Sequence, residues 1–422
     1  MKEYESFKTA VPIDYEGLLA AIQRKGTPER VFHMELFQDV EIRNAIADRY
    51  GVYAGINPTD PYREEKQQIA IQRFCGFDTV RAGLDGIEWP MTRHLVDDTA
   101  RLKRESGRNY MDEHAGPVTN WEEFEAYPWP NPSRPECTKT LEWYEKNLPD
   151  DMCISSGSMS HFCEHLTWLM GYETFCYALY DKRDLVEAIV EKLAGIYHAT
   201  LDQYLSFERL RIVFASDDMG FKGGLLFSAA DMIEYVLKPH KKMAERTKET
   251  GRLYLLHACG NLNDIIDYLT DEVRIDAKHS FEDTIEDVRD VRQTYGRKTA
   301  LIGGIDVDFL CRTVGDEIRA RVRDTLDICN PGGGYCLGTG NSVANYIPLD
   351  NYLAMLDEGR PYSSCQSGAR PDMIRASSRH DRGARAARLA RLVIYNDDRI
   401  GTGFLTTRHI LPDDPYPSDS RR

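Results

Sequence analysis

Eight short β-rich segments alternating with helical patterns predict an α/β chain, a (β/α)8 TIM barrel with an N-terminal helical extension and an irregular C-terminal tail. Two further observations agree. Side chains able to do chemistry fall at the C-terminal ends of the predicted strands, where such a barrel gathers its site: His33/Glu35, Asp85, Ser156/Ser158, Asp217/Asp218, His257/Cys259, His279, Asp306 and Cys336. The chain has 422 residues, 42% of them apolar and 29% charged, which is ordinary for a globular protein and enough for one large core or two smaller ones.

The elements follow in order. Residues 14–25 (DYEGLLAAIQRK) have an acidic start and a basic end, as the helix dipole favours. Residues 30–36 (RVFHMEL) are the first predicted strand, and 38–50 an amphipathic helix. Residues 57–68 are polar and begin beside Pro58, so a loop is expected there, with a helix at 69–75. The second strand is 77–84. The stretch 91–135 is polar, proline-rich and weakly periodic, and is expected to leave the barrel, with room for a small hairpin. A helix at 138–147 precedes the third strand, 152–157. Residues 161–207 are helical with two starts, and 211–215 (RIVFA) form strand four. Strands five to eight are expected at 252–256, 274–278, 299–303 and 333–337. Helices are expected between and after them at 262–268, 285–295, 314–329 and 349–358.

The formal net charge of −15 argues against nucleic-acid and anionic-membrane partners, which need surplus Lys and Arg. The first 17 residues are charged and carry no apolar h-region, and no apolar run is long enough to span a membrane. Ten dispersed cysteines read as thiols and ligands rather than a disulfide framework. A cytoplasmic protein is expected. Beyond residue 360 lysine and glutamate vanish and arginine dominates (RHDRGARAARLARL). The chain is therefore divided into a barrel unit, 1–360, and an arginine-rich, partly disordered tail, 361–422.

The run 253–260, LYLLHACG, delivers His257 and Cys259 at the end of strand five, on one face of the strand. Cys336 follows after 76 intervening residues, behind a glycine cluster. One imidazole and two thiolates make a three-ligand zinc set with a free fourth position, the requirement of a catalytic zinc. A core histidine beside two buried thiols is the structural alternative. Asp217 and Asp218 end strand four and are candidate catalytic carboxylates, with helix capping as the alternative. Glu35 is a candidate base or fourth ligand. His279 and Asp306 are candidates to hold ligands in place. Gly332–Gly334, Gly338 and Gly340 would let a cofactor approach the backbone closely, Gly333, Gly334 and Gly338 above all.

HACG, GGID at 303–306 and GGGYCLGTGNSV with the following PLDNYLAML resemble the uroporphyrinogen decarboxylase superfamily. The His-x-Cys-x76-Cys pattern is similar to the zinc site of its corrinoid-dependent methyltransferases, such as the methylcobamide:coenzyme M methyltransferases. The resemblance spans about residues 25–360 and is sharp over about 210–355. It implies a (β/α)8 barrel and Zn2+ held by His257, Cys259 and Cys336. It further implies methyl transfer between a small methyl donor or a thiol acceptor and a corrinoid. The corrinoid (methylcobamide) would ride on a separate partner protein, since the chain has no Asp-x-His-x-x-Gly pattern. The decarboxylase branch grips substrate carboxylates with an arginine-rich N-terminal motif, and this chain has RVFHMELFQDVEIRN there, acidic where that motif is basic. A decarboxylase-type lyase and a non-catalytic barrel that binds a corrinoid protein are the alternative readings.

Overall fold

The computed structural model describes residues 4–112 and 114–362. Eleven strands are found there: β1 (Thr79–Ala82), β2 (Arg93–Val96), β3 (Arg108–Met111), β4 (Cys153–Ser156), β5 (Leu210–Ser216), β6 (Gly220–Phe221), β7 (Gly224–Leu225), β8 (Leu253–His257), β9 (Ala277–His279), β10 (Ala300–Ile302) and β11 (Tyr335–Cys336). Seven of them form one curled parallel sheet in the order β1-β4-β5-β8-β9-β10-β11. β2–β3 and β6–β7 are separate antiparallel hairpins, the first lying in the proline-rich excursion.

The central strands β5 and β8 are mostly apolar because both faces are covered. β8 is buried at all five positions. Alternation then divides its side chains. Leu253 and Leu255 join Ile212, Phe214, Ala277, Ala300, Ile302 and Cys336 in one inner cluster, closed by Phe32, Met34 and Leu36. Tyr254 and Leu256 join Val213 and Ala215 in the cluster under the helices. The helix Arg183–Leu205 supplies part of that cover, burying Leu185, Ile189, Leu193, Tyr197, Leu201 and Tyr204 along one stripe at helical spacing.

Three expectations change. The first predicted strand, 30–36, is reduced to single parallel bridges at His33, one to Phe77 and one to Leu337. Met34 donates to the Leu337 carbonyl and Leu337 to that of Phe32, but the next donor, Thr339 N–H, goes to the Glu35 carboxyl at 2.9 Å. A side chain thus takes the place of a strand carbonyl and the ladder stops. Second, the loop expected up to 68 is helical from Arg63. That helix, Arg63–Cys75, ends at Gly76 in the left-handed region (φ 85°), where glycine is favoured. Third, the helix expected at 262–268 gives way to a π-helical turn at Tyr268–Val273. The long helical stretch has three helices, Phe162–Met170, Tyr172–Asp181 and Arg183–Leu205. Apart from Pro361 and Tyr362, the arginine-rich tail lies outside the described residues. Among the described residues no helix is long and apolar enough to cross a membrane.

Candidate metal centre

β5 and β8 run side by side with Ser216 opposite His257. The chain leaving β5 therefore meets the chain leaving β8 at once. Asp217 N–H donates to the His257 carbonyl at 2.9 Å, and Cys259 N–H donates to Asp218 Oδ1 at 3.0 Å. Gly260 has φ 94°, and a Cβ there would lie 2.1 Å from the Gly220 carbonyl carbon. Only glycine lets the turn after Cys259 pack so closely on the chain that follows β5.

This arrangement brings ligand atoms of Asp218, His257 and Cys259 within 4.8 Å of one another, a candidate metal-holding group. Hydrogen bonding sets the proton positions. A carbonyl only accepts, so the 3.2 Å contact of His279 Nε2 with Thr339 O puts a proton on that nitrogen. Burial holds His279 well below the usual histidine range, so the ring is neutral and its Nδ1 accepts. The 2.7 Å Nδ1···Nδ1 contact then assigns the proton to His257 Nδ1. His257 Nε2 is left presenting its lone pair 3.4 Å from Asp218 Oδ1 and 3.4 Å from Cys259 Sγ.

Burial pushes the Asp218 carboxyl up, and the hydrogen bonds from Cys259 draw it down. Burial, and then the Asp218 charge, push the Cys259 thiol well up. With His257 Nε2 unprotonated, the Cys259 thiol is the donor in their 3.4 Å contact, and a metal would draw that proton off the sulfur and take the imidazole, the carboxylate and the thiolate as ligands. Asn341 Nδ2 donates to Cys259 Sγ at 3.4 Å and Ser280 Oγ lies 3.7 Å from it. Neither residue stood out in the sequence. The signal available for Asn341 was its place just beyond a predicted strand.

The other predicted residues lie elsewhere. Cys336 is wholly buried in the inner apolar cluster with Phe32 and Ile302, outside the Asp218–His257–Cys259 group. Burial pushes its thiol far up. Asp217 is fully buried and occupied by three donors. Cys163 N (2.9 Å) and Glu164 N (3.0 Å) reach it from the first turn of the helix Phe162–Met170, and His240 Nε2 (2.9 Å) from behind. Glu35 holds Thr339, the residue whose carbonyl orients His279. Burial pushes its carboxyl up to about 8. Gly333 and Gly334 precede β11, at the opposite end of the sheet from Cys259, and pack on the backbone of Gly26 and the side chain of Arg24. Gly338 lies against the Met34 carbonyl. Asp306 caps the helix Val307–Arg312, and Asp85 is bonded to Thr140.

Comparison with known proteins adds family and fold. The uroporphyrinogen decarboxylase (URO-D) family matches residues 109–362. A methyltransferase from Methanosarcina mazei is similar in fold, with TM-score 0.54, 17% identity, and coverage of 81% of this chain and 96% of that one. A Listeria monocytogenes structure described as a "Putative Vitamin-B12 Independent Methionine Synthase" has TM-score 0.41 and 11% identity, covering 78% and 94%. No curated protein matches the chain.

Proposed function

The chain belongs to the uroporphyrinogen decarboxylase family, and from that membership we propose that it is a zinc-dependent methyltransferase working with a corrinoid on a partner protein. The sheet is read as an eight-membered barrel, its eighth member being the His33 segment that bridges both edge strands. The observation that carries the reading is the convergence of Asp218, His257 and Cys259 at the ends of β5 and β8. Nitrogen and sulfur donors beside one carboxylate suit Zn2+ rather than Mg2+ or Ca2+. Asp218 takes the third position here, because Cys336 lies in the apolar layer.

Bound there, zinc would supply Lewis acidity, lowering the pKa of a substrate thiol or polarising a methyl-bearing heteroatom. The chain's own groups do the rest. His279, fixed by the Thr339 carbonyl, keeps the His257 proton on Nδ1 and turns Nε2 toward the metal position. Asp218 is held in place by Cys259 N–H. Asn341 and Ser280 lie beside the sulfur and limit its rotation.

Elemental analysis of protein purified without chelator tests the reading, together with methyl transfer from methylcobalamin to small thiols. Wild type should carry about one zinc per chain, and Cys259→Ala should lose both the metal and the transfer. A folded wild type that takes up no zinc even when it is supplied would overturn the proposal.

A further inference from the structure

A cavity of about 150 Å³ opens beside Glu35, walled by Gln38, Arg43, Arg81, Ser155 and Phe214. A chain of contacts links it to the candidate metal centre. Glu35 holds Thr339, Thr339 accepts from His279, and the Phe214 ring is centred 6.2 Å from the His279 ring.

The wall is polar, cationic and incompletely satisfied. Arg81 donates to the Leu36 carbonyl at 2.5 Å and to Ser158 Oγ, which uses two of its five N–H donors. Among the described residues it has no carboxylate partner, and burial pushes its guanidinium down to about 10. Three buried polar atoms around the cavity lack a partner: Ser155 Oγ, Arg43 Nε and Gln38 Oε1. Ser155 is 3% exposed and Gln38 7%. Buried polar groups are normally paired, and the half-buried guanidinium of Arg81 has donors left for an anion. Glu35 does not fill that role, because at neutral pH burial keeps its carboxyl protonated.

We propose that this cavity is the binding site of a small organic carboxylate, held by the forked guanidinium of Arg81 with Ser155 and Arg43 supporting it. A planar fork with free donors matches a carboxylate in shape and charge. A cavity of about 150 Å³ accommodates roughly six non-hydrogen atoms, the size of benzene, so the acid is short. The inference concerns binding of the acid alone and stands apart from the proposed methyl transfer.

The test uses butyrate and its uncharged isostere butyramide, titrated calorimetrically into zinc-loaded and zinc-free protein. Butyrate should bind both forms, and butyramide at least tenfold more weakly. Arg81→Gln should weaken butyrate at least tenfold while leaving zinc stoichiometry unchanged, and Arg81→Lys should restore part of the binding. Equal affinity for butyrate and butyramide, or no butyrate binding, overturns the proposal using wild type alone. Butyrate binding unaltered in a folded Arg81→Gln variant overturns it as well. Because binding is read without metal, an acid site without methyl transfer is distinguishable from methyl transfer without an acid site.

Discussion

Two adjacent aspartates should behave as opposites. Asp217→Ala removes a carboxylate that is fully buried beside an equally buried His240 and that satisfies Cys163 N–H and Glu164 N–H. The substitution strands two helix N–H groups and one imidazole in a dry interior. Breaking such a buried pair costs about 3–5 kcal/mol, and each unpaired amide alone about 1–3 kcal/mol. These terms overlap, so the expected loss is about 3–5 kcal/mol. With a urea slope of about 3 kcal/mol/M, the unfolding midpoint drops by about 1–1.7 M. The folded fraction should still bind zinc, since Asp217 is not in the metal-holding group. Asp218→Ala removes a carboxylate 43% exposed whose partners are a half-buried backbone amide and His257. Its midpoint should move little, while zinc affinity falls steeply. Urea melts followed by fluorescence, with zinc measured on the same samples, decide the matter. A stable Asp217→Ala without metal, beside an unstable Asp218→Ala that keeps it, would refute the assignment of roles.

Three further outcomes are expected. Glu35 titrates at about 8 in the fold against an ordinary 4.5; the native state therefore binds more protons than the unfolded chain in that window, and stability falls as pH rises through it. Glu35→Gln should remove this slope, gaining a few kcal/mol relative to wild type between pH 5 and 9, read from urea melts at each pH. His279→Gln leaves the ligands of the centre in place but loses the contact that fixes the His257 tautomer; zinc affinity should drop about 10–100-fold in chelator competition, with the fold intact. Gly260→Ala forces a Cβ onto the Gly220 backbone at φ 94°; a cost of about 1–3 kcal/mol, seen in the melt, should be accompanied by weaker zinc binding because the turn carries Cys259.

The sequence made the parallel sheet readable for a simple reason. LYLLHACG is an uninterrupted apolar run that ends in two capable side chains, and β8 occupies it with His257 as its last residue. Seven of the eight predicted strands have counterparts in the sheet. The His33 segment has an equally good pattern, yet it pairs at one residue, because Glu35 competes for a ladder donor, and composition does not reveal that. Asp217 and Asp218 are indistinguishable in sequence. Past the end of β5 one turns into the helices and the other toward the site. Cys336 is opposite Ile302 in register, but strands in a ring are tilted, so register alone does not give height along the axis. Asn341, Arg81 and Ser155 escaped notice because each matters only through neighbours distant in the chain.

The single bridges at His33 also set a schedule for assembly. One of its two partners, Phe77, leaves the ribosome soon after it, but the other, Leu337, is 304 residues downstream. At about 5–20 residues per second, roughly 15–60 s pass between the two ends of that closure. Throughout, the apolar side chains of Phe32, Met34 and Leu36 wait for an inner cluster whose last member, Cys336, is not yet made. Joining the His33 segment to Leu337 is thus a late, high-contact-order event, and the nascent chain is most exposed to misassociation along the seam where these two segments meet.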